Sequence, residues 1–70
     1  PMKIKVNGQM HDLSHPGPTL ALTATLAKLG FTNPALATAV NGVFVPRDAR
    51  KTVALVDGDQ LEVLAPMQGG

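Results

Sequence analysis

The feature that most restricts this 70-residue chain is its single amphipathic helical stripe. Leu22, Leu26 and Leu29 recur at i, i+4 and i+7, which puts all three on one side of a helix and requires an apolar surface to face them. Ala21, Ala24 and Ala27 favour the helix at little entropic cost. The pattern predicts a helix over about Leu20–Leu29, with Thr19 as the side-chain cap at its start. Gly30 suits the left-handed C-terminal cap, and Phe31 supplies the hydrophobic contact that often accompanies it.

Short β-patterned runs lie on both sides of that helix. Met2, Ile4 and Val6 alternate with Lys3 and Lys5, the period-two pattern of a half-buried strand. Asn7-Gly8 follows, a pair that accepts positive φ at both centres of a two-residue hairpin turn. The partner strand is expected over Gln9–Leu13 and ends in the turn chemistry of Ser14-His15-Pro16-Gly17-Pro18. After the helix, "ALATAV", Asn41-Gly42 and "VFV" repeat the hairpin signal. Arg47–Thr52 reads as a polar connection, and "VALV" as a short strand or a turn of helix. Asp57-Gly58-Asp59 turns the chain into a final strand, about Gln60–Leu64.

A lone helix between two hairpins can bury its stripe only against a sheet built from both. In so short a chain that is an α+β fold, a mixed four- to five-stranded sheet packed on one helix, the β-grasp or ubiquitin-like architecture. The last strand is expected centrally, beside the first. The domain is expected over residues 2–66, with a flexible Gly-Gly tail over 67–70. Pro1 ahead of Met2 reads as a tag remnant.

Composition narrows the function classes. A domain of this size buries only about 60% of the surface its unfolded chain exposes. The 44% apolar content supplies a core and argues against disorder. There is no cysteine, which removes disulfides, thiolate metal sites and a cysteine nucleophile. The net charge is +1 with scattered Lys and Arg, so there is no basic stripe for nucleic acid. No stretch approaches membrane-span length. With no phosphate loop and no serine–histidine–acid signature, an enzyme is not expected. No cofactor or metal is expected, and the expected location is cytoplasmic. His11 and His15, four apart around a turn with no acidic pair nearby, read as surface histidines.

"VNGVFVPRDA" (Val40–Ala49), "VDGDQLEVL" (Val56–Leu64) and Gly69-Gly70 together resemble the ThiS family, the sulfur carriers of thiamine biosynthesis. The resemblance covers nearly the whole chain from Met2, although ThiS chains often carry a tryptophan shortly after Val-Pro-Arg and this chain has none. It implies a carrier whose Gly70 carboxylate is adenylated with ATP by a ThiF-type enzyme. A sulfur donor such as a cysteine desulfurase then converts the adenylate to a thiocarboxylate, and a ThiG-type thiazole synthase consumes the sulfur. Gly69 gives the tail a slender approach, since glycine allows close contact of backbone with an active site. The proline and glycines of "APMQGG" are also similar to the MoaD-like small subunit of molybdopterin synthase. A ubiquitin-like modifier conjugated through Gly70 is the reading from a different class, and an interaction module with an inert tail is another.

Strand parity adds a candidate surface. If Leu61 and Val63 face the helix, Leu64 shares the solvent side with Gln60 and Glu62, and Phe44 is out of phase with Val43 and Val45. Phe44 and Leu64, with Met67 in the tail, form the expected partner-docking patch. Arg47 and Arg50 read equally as partner contacts or as solvated loop charges.

Overall fold

The structure is a computed structural model that describes residues 2–66. Seven strands and one helix follow in the order β1 (Lys3–Val6), β2 (Gln9–Asp12), β3 (Thr19–Ala21), α1 (Leu22–Leu29), β4 (Ala37–Val40), β5 (Val43–Val45), β6 (Ala54–Val56) and β7 (Gln60–Leu64), with a short 3₁₀ turn at Arg47–Ala49. Five strands form the main sheet in the order β2-β1-β7-β4-β5. The last strand is central, parallel to β1 and antiparallel to β4. This is the β-grasp fold, a mixed five-stranded sheet wrapped on one helix.

Both hairpins turn where the Asn-Gly pairs require. Asn7 and Gly8 have φ of 48° and 87°, and Asn41 and Gly42 have 50° and 83°, the two positive values of a type I′ turn. Alternation then sends Ile4, Val6, Leu61 and Val63 inward, where they meet Leu22, Leu26 and Leu55 in one buried cluster. Leu29 packs partly buried against that cluster, which completes the predicted stripe.

The helix ends as its sequence indicates. Gly30 is left-handed, its N–H donates to Ala27 O, and the N–H of Phe31 donates to Leu26 O at 2.9 Å. These are the two bonds of a Schellman cap. The helix start differs from expectation. Thr19 does not cap it: Thr19–Ala21 is a strand paired antiparallel with Ala54–Val56, and the helix begins at Leu22 with no side-chain cap. Backbone carbonyls from a distant segment do the capping. Leu22 N–H donates to Val53 O at 2.8 Å and Thr23 N–H to Arg50 O at 3.3 Å. Two of the orphan donors of a helix start are thereby satisfied by tertiary contacts that local pattern does not encode.

Candidate functional site

The strand that leads toward the Gly-Gly end is held from both sides by the asparagines of the two hairpin turns. Past the end of β1, Asn7 N–H donates to Leu61 O at 2.9 Å. Its side chain then acts as one further residue of the ladder: Nδ2 donates to Val63 O at 3.0 Å, and Oδ1 accepts from Val63 N–H at 2.9 Å. At the other end of β7, Asn41 N–H donates to Gln60 O at 2.8 Å, and its Oδ1 accepts from Gln60 N–H at 2.9 Å. Asn41 Nδ2 donates to Asp59 Oδ1 at 3.0 Å. Asp59 Oδ2 in turn accepts from Val56 N–H at 2.9 Å, which closes the turn into β7. β7 is thus paired along its length, with Leu64 opposite Ala37 of β4. Pro66, two residues later, has no N–H with which to continue a ladder.

The register defines the sheet face away from the helix. Ala39 lies between Phe44 and Glu62, and Ala37 lies beside Leu64. Phe44 and Leu64 are 64% and 60% exposed. The half-buried Ala37 and Ala39 between them are too short to cover either, so the two large side chains stand on a low apolar floor. Met10, opposite Lys5 on β1, is exposed on the same face nearer its far edge. It went unmarked in the sequence because β2 alternates weakly. Val43, assigned by phase to the inner side with Val45, is 67% exposed while Val45 is buried. It directly follows the turn on an edge strand, beyond the reach of the helix. Met67, Gly69 and Gly70, together with the expected mobility of the tail, lie outside the described residues.

The two arginines separate. Arg47 is exposed, as a surface cation would be. Arg50 is 6% exposed, which overturns the solvated-charge reading for it. Its Nε donates to Thr38 Oγ1 at 3.3 Å and its Nη2 to Leu36 O. Thr38 Oγ1 itself donates to Val45 O at 3.1 Å, so the guanidinium ties the 3₁₀ turn to both strands of the second hairpin. His15 Nε2 lies 2.8 Å from Thr19 O. Among the described residues no three His, Cys, Asp or Glu side chains gather as a metal site requires, and no helix is long and apolar enough to cross a membrane.

Fold and site together define a ubiquitin-like β-grasp protein whose last strand is central in the sheet. The profile of the ThiS family matches residues 4–70, and the chain belongs to that family. It is similar to the crystal structure of the thiamine biosynthesis protein (ThiS) from Geobacter metallireducens, with a TM-score of 0.85 and 28% identity over 99% of this chain and 100% of that one. The solution NMR structure of a thiamine biosynthesis protein from Geobacter metallireducens gives a TM-score of 0.76 at 28% identity, over 99% of this chain and 88% of that one. No curated protein gives a significant match.

Proposed function

We propose that this protein is a sulfur carrier of thiamine biosynthesis, itself not an enzyme, which works through the carboxylate of Gly70. A carboxylate is a resonance-stabilised anion with no usable leaving group, so it cannot exchange oxygen for sulfur unaided. An adenylating enzyme of the ThiF type supplies ATP. The Gly70 carboxylate attacks the α-phosphorus, pyrophosphate leaves, and an acyl-adenylate forms. The persulfide of a donor such as a cysteine desulfurase then attacks the carbonyl carbon and displaces AMP to give an acyl disulfide. A thiol of the partner machinery attacks that S–S bond, which leaves the thiocarboxylate on Gly70 and a disulfide on the partner. A thiazole synthase of the ThiG type takes that sulfur.

The observation that carries this reading is the clamp on β7. A carrier must present one carbonyl carbon inside another protein's active site, and positional error of about 1 Å costs on the order of a hundredfold in rate. The strand leading to the tail lies between β1 and β4 and is bonded at both ends by Asn7 and Asn41, so its direction is set by the body of the domain. The family match extending to Gly70 supports the same role for the terminal glycines. Leu64, exposed at the end of β7, and Phe44, exposed two strands away on the same face, are proposed as the docking patch for the adenylating enzyme, with Met67 extending it. The domain would span residues 2–66, and 67–70 would serve as the threaded tail.

The test is to incubate the protein with its adenylating enzyme, ATP and a sulfur donor, and to weigh it intact. Wild type should gain the mass difference between sulfur and oxygen. Deleting Gly70 withdraws the carbonyl by roughly 3.5 Å, and adding an alanine after it advances the carboxylate by a similar step, so neither variant should be converted. Both should melt with wild type, because the buried cluster is formed by residues between Met2 and Val63. Conversion of the extended chain at the wild-type rate would exclude a positioned terminal carboxylate. Recovery of the protein in isopeptide linkage to other chains would favour the modifier reading instead.

A further inference from the structure

A groove of about 330 Å³ opens on the helix side of the sheet, between α1, the loop that follows it and the 3₁₀ turn. Phe44 and Leu64 lie on the opposite face, so the groove is separate from the proposed docking patch. Its walls are mainly apolar, formed by Leu26, Phe31, Pro34 and Leu36, and two cations, Arg47 and Arg50, line it together.

Arg50 makes this groove chemically specific. The charged group of an arginine residue as buried as Arg50 normally faces a carboxylate, because an uncompensated buried charge is costly. Here the Nε and Nη2 bonds both go to neutral oxygens, Thr38 Oγ1 and Leu36 O. Among the described residues no aspartate or glutamate lines the groove. Nη1 makes no hydrogen bond within the described residues, yet none of their buried side-chain nitrogens lacks a partner. Nη1 is the guanidinium nitrogen not committed to Leu36 or Thr38, and Arg50 lines this groove. The guanidinium plane is already held by Leu36 and Thr38, so an anion meeting it would immobilise little further side-chain freedom.

We infer that the groove is a binding site for a small organic monocarboxylate with a compact apolar body, the carboxylate meeting Arg50 Nη1 and Arg47 and the body lying against Phe31, Pro34 and Leu36. Several features select this class. The volume is at the lower end for small-molecule sites and too small to hold a helix or a strand. The walls are mostly apolar, which disfavours a sugar or a polyphosphate. The two cations line the same groove from one segment, three residues apart, which favours a ligand with a single anionic group over one with none.

The probe is 3-phenylpropionate, with 3-phenylpropionamide as its uncharged isostere, each titrated into the isotopically labelled full chain and followed by amide chemical shifts. The carboxylate should produce saturating shifts at Phe31, Leu36, Arg47 and Arg50. Its dissociation constant should be on the order of a few millimolar, as ordinary ligand efficiency allows for about eleven heavy atoms. The amide should bind at least tenfold more weakly. Raising the salt from 50 mM to 500 mM should weaken the carboxylate and leave the amide unchanged. Arg47→Glu, at an exposed position, should weaken the carboxylate more than fivefold with the fold intact. Arg50→Met should abolish the preference for carboxylate over amide. If that variant does not fold, the Arg47→Glu result and the isostere comparison decide the matter alone. Equal binding of acid and amide, shifts confined to the outer sheet face, or no saturable shift up to 20 mM would each overturn the assignment and leave Arg50 as a purely structural brace.

Discussion

The two ends of β7 are held by the same residue type in the same kind of turn, but in different surroundings. At the C-terminal end, Asn7 reaches across to Val63, whose side chain is buried, and both of its side-chain bonds are to backbone and part-buried. At the N-terminal end, Asn41 bonds the Gln60 N–H and the Asp59 carboxylate through hydrogen bonds that are both exposed. Geometry is nearly identical, with distances between 2.9 and 3.0 Å. Environment is what separates them. A buried donor or acceptor that loses its partner retains most of its desolvation cost, whereas an exposed one turns to water. The C-terminal end of the strand is therefore the end at which the clamp contributes most.

Replacing each asparagine by glycine breaks this comparison most severely, because glycine keeps the positive φ of the turn and removes only the side-chain bonds. Asn7→Gly should destabilise by about 2–3 kcal/mol, as the Val63 N–H and C=O lose their partners. In a domain of this size that lowers Tm by more than about 10 °C. Asn41→Gly should cost about 1 kcal/mol. Thermal and urea unfolding measure both. The double variant should be additive within about 0.5 kcal/mol, since the two sites share no partner. Equal losses in the two single variants would show that burial does not distinguish the clamps.

A charge sharpens the contrast at the exposed end. Asn41→Asp replaces a donor with a second carboxylate about 3.0 Å from Asp59 Oδ1. The loss should be about 1–2 kcal/mol in low salt, and the repulsive part should shrink as ionic strength rises, because exposed charges are screened. Asn7→Asp has no acidic side chain among its hydrogen-bond partners, so its cost should depend little on salt. Urea melts at 20 mM and 1 M sodium chloride separate the two. A salt-independent penalty at position 41 would mean that Asp59 has turned away.

The same contrast explains how much of the molecule was legible from sequence. The Asn-Gly pairs, the Leu22–Leu26–Leu29 stripe and the Gly30 cap are encoded within a few residues of where they act, so the hairpins, the helix end and the central place of the last strand could be read directly. The helix start could not. Thr19 looks like a cap, but its segment pairs with Ala54–Val56, and the helix donors bond Val53 and Arg50, roughly thirty residues away. Arg50 shows the same limit. A charged residue in a polar run reads as solvated, and only the assembled fold brings Leu36 and Thr38 to its guanidinium. The side-chain role of Asn7 was hidden for the same reason, since its partner lies 56 residues along the chain. On the candidate site, parity was sufficient to separate Leu64 from Leu61 and Val63, because each turn sets the alternation of the strand it begins. It failed for Val43, where the sheet extends past the helix that gives alternation its meaning.

The smallest effect on the fold, and the most informative for function, should come from Leu64→Glu at the end that Asn7 clamps. Leu64 is 60% exposed and points away from the helix. Its opposite neighbour is Ala37, so a glutamate there meets no like charge directly across the strand pair. Stability should stay within about 0.5 kcal/mol of wild type, as for surface substitutions generally. Docking is a different matter. A large apolar side chain at the centre of an interface can contribute more than 1 kcal/mol, and a carboxylate buried without a partner costs further. Affinity for the adenylating enzyme should therefore fall by tenfold or more, measured by titration calorimetry, while the melting curve overlays wild type. Phe44→Ala should lower affinity less, because its truncation removes contact area without introducing a charge. Asn7→Gly, assayed below its lowered melting temperature, should weaken docking less than Leu64→Glu, since it leaves the patch chemically intact. If Leu64→Glu binds as tightly as wild type, the outer face beside the end of β7 is not where the partner docks, and the clamp at that end serves stability alone.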